Sequence, residues 1–332
     1  YVGEIYPVYS ASSTYNDTVI ATNAQNATAK NWMVKYYNST DISTTGSYVC
    51  PEPNMDSYIT LTVTDGVAIK LDLQAAAEGT PIRIVSGSNT QDITVGTSWY
   101  GTANYTADGT EIKVYGDLTD FDCSGNGTKI TALDPSHNTQ LKELWCQNNT
   151  LNRLDVSGCT QLIGLDCYYN NLTSLDVSHN TQLIGLDCSY NNLSSLDVSK
   201  NTQLKKLYCF NNGFTIAALD RIYCVLPVRT LSDDAQIFPL GESSSVAEQN
   251  MVAVTNAANA TDKNWQVLKY KTDGNHTDIA TTGTYDCSTA VAEAAAEQAI
   301  TLYPNPVSDV LYLSATARTI RVYDIYGIEV AH

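Results

Sequence analysis

Between Leu141 and Phe214 one short phrase recurs at a fixed distance. Leu141-Lys142-Glu143-Leu144-Trp145-Cys146 returns as Leu162-Ile163-Gly164-Leu165-Asp166-Cys167, as Leu183-Ile184-Gly185-Leu186-Asp187-Cys188 and as Leu204-Lys205-Lys206-Leu207-Tyr208-Cys209. The starts at 141, 162, 183 and 204 give a constant step of 21 residues. Leu118-Thr119-Asp120-Phe121-Asp122-Cys123 fits the same frame with two residues inserted near Gly127-Thr128. A step of this length leaves little choice of architecture. One turn cannot bury its own apolar side, so successive turns must stack into a solenoid whose core is shared and whose ends need caps.

The positions have separate physical jobs. The second apolar residue of each phrase and the Cys alternate inward along a short strand, while the first Leu fills the bend before it. The Asn three places after each Cys (Asn126, Asn149, Asn170, Asn191 and Asn212) can bond backbone groups left unpaired where the chain turns away. Written as L-x-x-L-x-C-x-x-N-x-L, the frame resembles the leucine-rich repeat family, and its Cys at every step is similar to the cysteine ladders of internalin-type bacterial adhesins. The resemblance implies a β-rich α/β chain. At its centre is a leucine-rich repeat solenoid of about five turns, flanked by small β-sandwich-like and α/β units.

The chain has 332 residues and a formal charge of -17, with only 18 Lys and Arg. That balance argues against nucleic acid or an anionic membrane surface as partner. No apolar run approaches the roughly 20 residues that span a bilayer. The start at Tyr1, without Met or a signal-like stretch, reads as a trimmed piece of a longer precursor. Of nine cysteines, Cys123, Cys146, Cys167, Cys188 and Cys209 share one inward position and are expected as free, buried thiols. Ligands in a line do not converge on a metal, so neither metal nor cofactor is expected. Cys50 and Cys287 are equivalents in a duplicated segment and read as local packing, and Cys159 and Cys224 are left without a role.

Taken in order, residues 1–50 form a flanking α/β unit containing Glu4-Ile5-Tyr6-Pro7, Lys30-Asn31-Trp32-Met33-Val34 and Thr44-Thr45-Gly46. The same order returns at 229–287 as Gln236-Ile237-Phe238-Pro239, Lys263-Asn264-Trp265-Gln266-Val267 and Thr281-Thr282-Gly283. Each copy predicts a strand, a short Ala-rich helix, a strand opening at the Trp and a last strand behind the Thr-Thr-Gly turn. The first copy is either the tail of a preceding module or a true N-terminal domain. Residues 51–117 alternate apolar and polar in short bursts, as in a small sandwich or half-barrel capping the repeats at 118–213. Helical spacing over Ile216 to Leu226, stopped by Pro227, predicts a capping helix within 214–228. An Ala- and Glu-rich linker at 288–299 precedes 300–332, where Tyr303-Pro304-Asn305-Pro306-Val307-Ser308-Asp309 and Val322-Tyr323-Asp324 resemble the start of the C-terminal sorting domain of proteins exported by the type IX system of Bacteroidetes.

Residues flanking the inward Leu and Cys should point onto the concave face. Trp145, Asp166, Tyr168, Asp187, Lys206, Tyr208 and Phe210 are the candidate binding residues, since rigid aromatics give contact area at low entropic cost. Asp134, Asp155, Asp176 and Asp197 recur two positions before a Ser and are expected to bond local amides. A calcium loop opening at Asp120 would need an acid at its twelfth position, where Thr131 stands. His137 and His179 sit two rungs apart, and no catalytic motif is found. The expectation is a secreted or cell-surface binding protein, not an enzyme, whose partner is a host or bacterial surface protein or glycan. The alternative is a structural spacer of tandem solenoid modules.

Overall fold

A computed structural model describes residues 52–287 and, outside them, the backbones of four short strands. Two of these are β1 (Gly3–Val8) and β2 (Trp32–Tyr36), and the others are Val322–Tyr323 and Glu329–Ala331. The linker and the Tyr303–Asp309 motif lie outside the described residues.

The protein is β-rich with few helices. Alternation in the upstream region yields β3 (Tyr58–Val63), β4 (Ala68–Gln74), β5 (Thr80–Ser86), β6 (Asn89–Val95), β7 (Ala103–Thr106) and β8 (Glu111–Tyr115). Inward Ile59, Leu61, Ile69, Leu71, Leu73, Ile112 and Val114 are fully buried, as period-two patterning requires. Strand β7 was not expected, because four residues among Gly, Ser and Thr carry too little pattern. Pairing with β4, with Tyr105 opposite Ile69, holds it.

The recurring phrase forms β9 (Asp120–Asp122), β11 (Glu143–Trp145), β13 (Gly164–Asp166), β14 (Gly185–Asp187) and β15 (Lys206–Tyr208), all parallel and in register. Phe121, Leu144, Leu165, Leu186 and Leu207 make one inward row. The cysteines make the next, buried and free. On the return side run β10 (Ile130–Asp134) and β12 (Arg153–Leu154). The upstream unit does more than abut the repeats, since it shares both of their sheets. β4 joins β9 antiparallel, with Leu73 opposite Phe121, and β3 joins β10, with Leu61 opposite Leu133.

The asparagines tie the turns together. Asn170 Nδ2 donates to the Cys146 and Cys167 carbonyls, both at 3.0 Å, and its Oδ1 accepts from Leu151 N–H at 2.9 Å. Asn191 and Asn212 repeat the pattern one and two turns on. A second ladder went unread in the sequence. Asn138, Asn180 and Asn201 are wholly buried, and Asn180 bonds the Val156 and Cys159 carbonyls. Cys159 occupies this Asn position in its own turn, and its Sγ donates to Pro135 O.

Downstream, α1 (Ile216–Val225) starts where Thr215 accepts from Ala218 N–H. It is followed by β16 (Ala235–Leu240), α2 (Val246–Ala253), α3 (Ala258–Thr261), β17 (Trp265–Lys269) and β18 (Thr277–Asp278). β16 runs parallel to β15, and β17 parallel to β16, so the sheet continues past the helix. It reaches ten strands, in the order β18-β17-β16-β15-β14-β13-β11-β9-β4-β7; the other sheet has six, β12-β10-β3-β8-β5-β6. β1 and β2 pair as β16 and β17 do: Gly3 faces Trp32 as Ala235 faces Trp265, and Ile5 faces Val34 as Ile237 faces Val267.

Two expectations are corrected. Cys287 is not local packing, because it forms a disulfide with Cys224, 63 residues earlier. No pattern announced this pairing, since both cysteines lie outside the repeat frame. Between the second Thr-Thr-Gly turn and Cys287, where the continuous described stretch ends, there is no strand. There Thr282 and Gly283 donate to the Ala253 and Thr255 carbonyls, and Gly283 lies so close to the Thr255 backbone that a side chain would not fit.

Candidate functional site

Strict register turns the sequence into rows on the open face of the ten-stranded sheet. Asp122, Trp145, Asp166, Asp187, Tyr208 and Phe238 are successive neighbours across six strands. Beside them run Asp120, Glu143, Gly164, Gly185, Lys206 and Gln236. With strands about 4.8 Å apart, Trp145 and Tyr208 stand roughly 14 Å from each other on one face. Asp166 and Asp187 lie between them.

The two glycines shape the floor. Gly185 has nothing within 4 Å of where a Cβ would be, whereas the Glu143 carboxylate leans into that space at Gly164. Bare backbone therefore lies beside Asp187 at Gly185, while Glu143 covers the backbone beside Asp166 at Gly164. Burial pushes Asp187 up to about 7, although the Ser189 hydroxyl and N–H both donate to Oδ1 and pull the other way. Burial, followed by the charges of Asp120 and Asp166, brings Glu143 to about 7 as well. Asp166 is raised by burial. Among the described residues none of the three forms an ion pair.

Aromatic rings bound this acidic strip at both ends. Upstream, Trp99 meets Trp145 edge-on, with centroids 5.1 Å apart at 65°. Downstream, Tyr208 stacks on Phe238 at 4.5 Å and 5°, with Tyr270 packed edge-on against Tyr208. Tyr168 is partly exposed and Lys206 exposed. Phe210 is the exception among the candidates. It is 4% exposed, covered by Tyr270 and Gly241, because the segments after β16 and β17 fold over it. Phe210 is therefore a core residue and not part of an open platform.

The rim holds residues that reading the sequence missed. Asn148, Tyr169, Tyr190 and Asn211 recur at one repeat position, and all have φ between 51° and 56°. Asn tolerates this left-handed backbone, whereas a bulky Tyr there costs on the order of 1–3 kcal/mol. The two tyrosines stack on each other at 3.9 Å and 16°, and Tyr169 stays 47% exposed. Tyr190 is further fixed by a hydroxyl bond to Ser243.

The remaining candidates have local roles. Asp134, Asp155, Asp176 and Asp197 accept from the backbone N–H of Ser136, Ser157, Ser178 and Ser199 at 2.8–3.0 Å. Those bonds, to the Ser hydroxyl as well as its N–H, lower the pKa of Asp155 and Asp176. His137 is exposed and stacks on Tyr58 at 4.2 Å. Burial pushes every thiol of the ladder upward, so all are held protonated and none is primed as a nucleophile. Among the described residues no group of three or more His, Cys, Asp or Glu is placed to hold a metal.

No family model and no curated protein matches the chain. Among solved structures it is similar to the functional domain of InlJ from Listeria monocytogenes, described as including a cysteine ladder. The match has 37% identity and a TM-score of 0.32, and it covers 37% of this chain and 25% of that one.

Proposed function

We propose that the chain is a non-enzymatic leucine-rich repeat binding protein, with about five turns between a sandwich-like unit and an α/β unit, and that its concave face grips a cationic segment of a surface protein. The observation that carries this reading is the row Trp145, Asp166, Asp187, Tyr208. Two carboxylates stand side by side with bare backbone at Gly185, lack a counter-ion among the described residues, and are closed in by rings. A Lys or Arg side chain entering there gains ion pairing and a ring face at once. A glycan is the weaker partner, because hydroxyls do not offset buried negative charge.

Export belongs to the same reading. The Cys224–Cys287 disulfide suits an oxidising compartment, and the Tyr303–Asp309 motif resembles a sorting signal. Among the described residues no helix is long and apolar enough to cross a membrane.

The test is a screen of matrix proteins, glycans and Lys/Arg-rich peptides with the wild type, Asp166→Asn/Asp187→Asn and Trp145→Ala/Tyr208→Ala. Both double variants should bind at least about 10-fold more weakly, and the Asn pair should also lose most of its salt dependence. Equal binding by wild type and variants ends the proposal.

A specific observation favours a second reading, a spacer of tandem modules. The duplicated segment pairs β1 with β2 in the register of β16 with β17. Further copies in the complete reading frame would support it, and their absence would remove it.

A further inference from the structure

The upstream sandwich is open along one side. β6 is the last strand of the six-stranded sheet and β7 the last of the ten-stranded sheet. Between them lies a cavity of about 360 Å³, within the range of small-ligand sites. Its floor is Ile84 and Ile112, and its walls carry Asn89, Gln91, Asn104 and Tyr105. No charged residue lines it.

Tyr105 is the telling residue. It is only 5% exposed, and its hydroxyl is buried without a hydrogen-bond partner. Burial, helped by Tyr100 and Asp72, pushes the phenol up to about 12, so it stays a neutral donor and acceptor. A buried hydroxyl left unpaired is costly, and native structures seldom keep one without reason. A neighbouring Ser86 hydroxyl shows the contrast: it donates to Glu111 O at 2.7 Å and accepts from Asp108 N–H at 2.9 Å.

We infer that the cleft between β6 and β7 is a second binding site, distinct from the concave face, that takes a neutral saccharide. The lining offers exposed amides from Asn89, Gln91 and Asn104 and a phenol from Tyr105 for ligand hydroxyls. The absence of any lining cation disfavours sialylated or sulfated sugars. An extended peptide would pair with the free edge of β6 or β7 and would not need the Tyr105 hydroxyl.

The experiment is titration calorimetry and ligand-observed NMR on the full chain. The probes are neutral di- and trisaccharides of glucose, galactose, mannose and N-acetylglucosamine, a sialylated trisaccharide, and an uncharged β-forming peptide. The proteins are wild type, Tyr105→Phe, Gln91→Ala and Asp166→Asn/Asp187→Asn. The inference expects one neutral saccharide to bind, Tyr105→Phe and Gln91→Ala to weaken it about 10-fold, and Tyr105→Phe to melt at or above the wild-type temperature. It also expects the aspartate variant to bind the sugar unchanged, which separates this site from the concave one. The inference is overturned if no neutral saccharide binds, if Tyr105→Phe binds as wild type, or if only the peptide or the sialylated sugar binds. A drop in melting temperature for Tyr105→Phe also overturns it, because the hydroxyl then has a structural partner.

Discussion

The first repeated strand, β9, is met by β4 running antiparallel, and the last, β15, by β16 running parallel. Both newcomers answer the same demand, since a terminal turn leaves backbone groups that its missing neighbour would have bonded. At the upstream end Asn126 donates to Lys70 O and accepts from Lys70 N–H, each at 2.9 Å, so a strand of another unit stands in for a turn. At the downstream end Cys209 N–H donates to Phe238 O, as each earlier Cys N–H donates to the strand after it. Capping here means matching a hydrogen-bond pattern, and strand direction is secondary to it.

The ends differ in what fastens them. The downstream unit has a covalent tie, the Cys224–Cys287 disulfide, while the upstream unit relies on two shared sheets. Cys224→Ser should therefore have the largest effect, about 4 kcal/mol for a loop of this separation. Faster amide exchange should be confined to the residues around β16 and β17; equal acceleration throughout the stack would erase the distinction between ends. Next comes Asn126→Ala, which orphans the Lys70 carbonyl and N–H and costs about 2 kcal/mol. Near-ultraviolet dichroism on melting should show the β4–β9 junction loosening before the downstream end. If Asn126→Ala loosens both ends alike, the stack behaves as one unit.

The smallest effect concerns the strip between the ends. Glu143 and Asp187 titrate near 7 in the folded protein, well above their ordinary range. The folded state thus holds extra protons between about pH 4 and 7, and stability falls as pH rises through that window. Going from pH 8 to 5.5 should raise Tm by about 2–4 °C, and Glu143→Gln/Asp187→Asn should abolish the rise. A cationic ligand needs the deprotonated forms, so its affinity should run the opposite way, tighter at pH 8.

Much of this was legible in the sequence because register is what a repeat encodes. The 21-residue step placed Phe121, Leu144, Leu165, Leu186 and Leu207 in one row, and the Asn after each Cys in another. What escaped lies where the step breaks. Ile237 follows its neighbour Leu207 by 30 positions, so β16 could not be recognised as another rung. Phe210 obeys the frame, and its burial depends on Tyr270, which no local pattern ties to it. The left-handed backbone of Tyr169 and Tyr190 was hidden because Tyr does not advertise positive φ as Gly does. Cys159 was left without a role because it is a lone cysteine at a position where the other turns carry Asn138, Asn180 and Asn201.

The sulfur row has a consequence for how the molecule comes to be made. Among the described residues the five thiols of the row and Cys159 must finish reduced and sealed in the interior, while Cys224 and Cys287 must finish joined. Adjacent rungs carry their sulfurs on neighbouring strands, so an oxidant that reaches an unclosed stack can cross-link the wrong pairs. Maturation therefore needs an order of events in which coiling precedes oxidation.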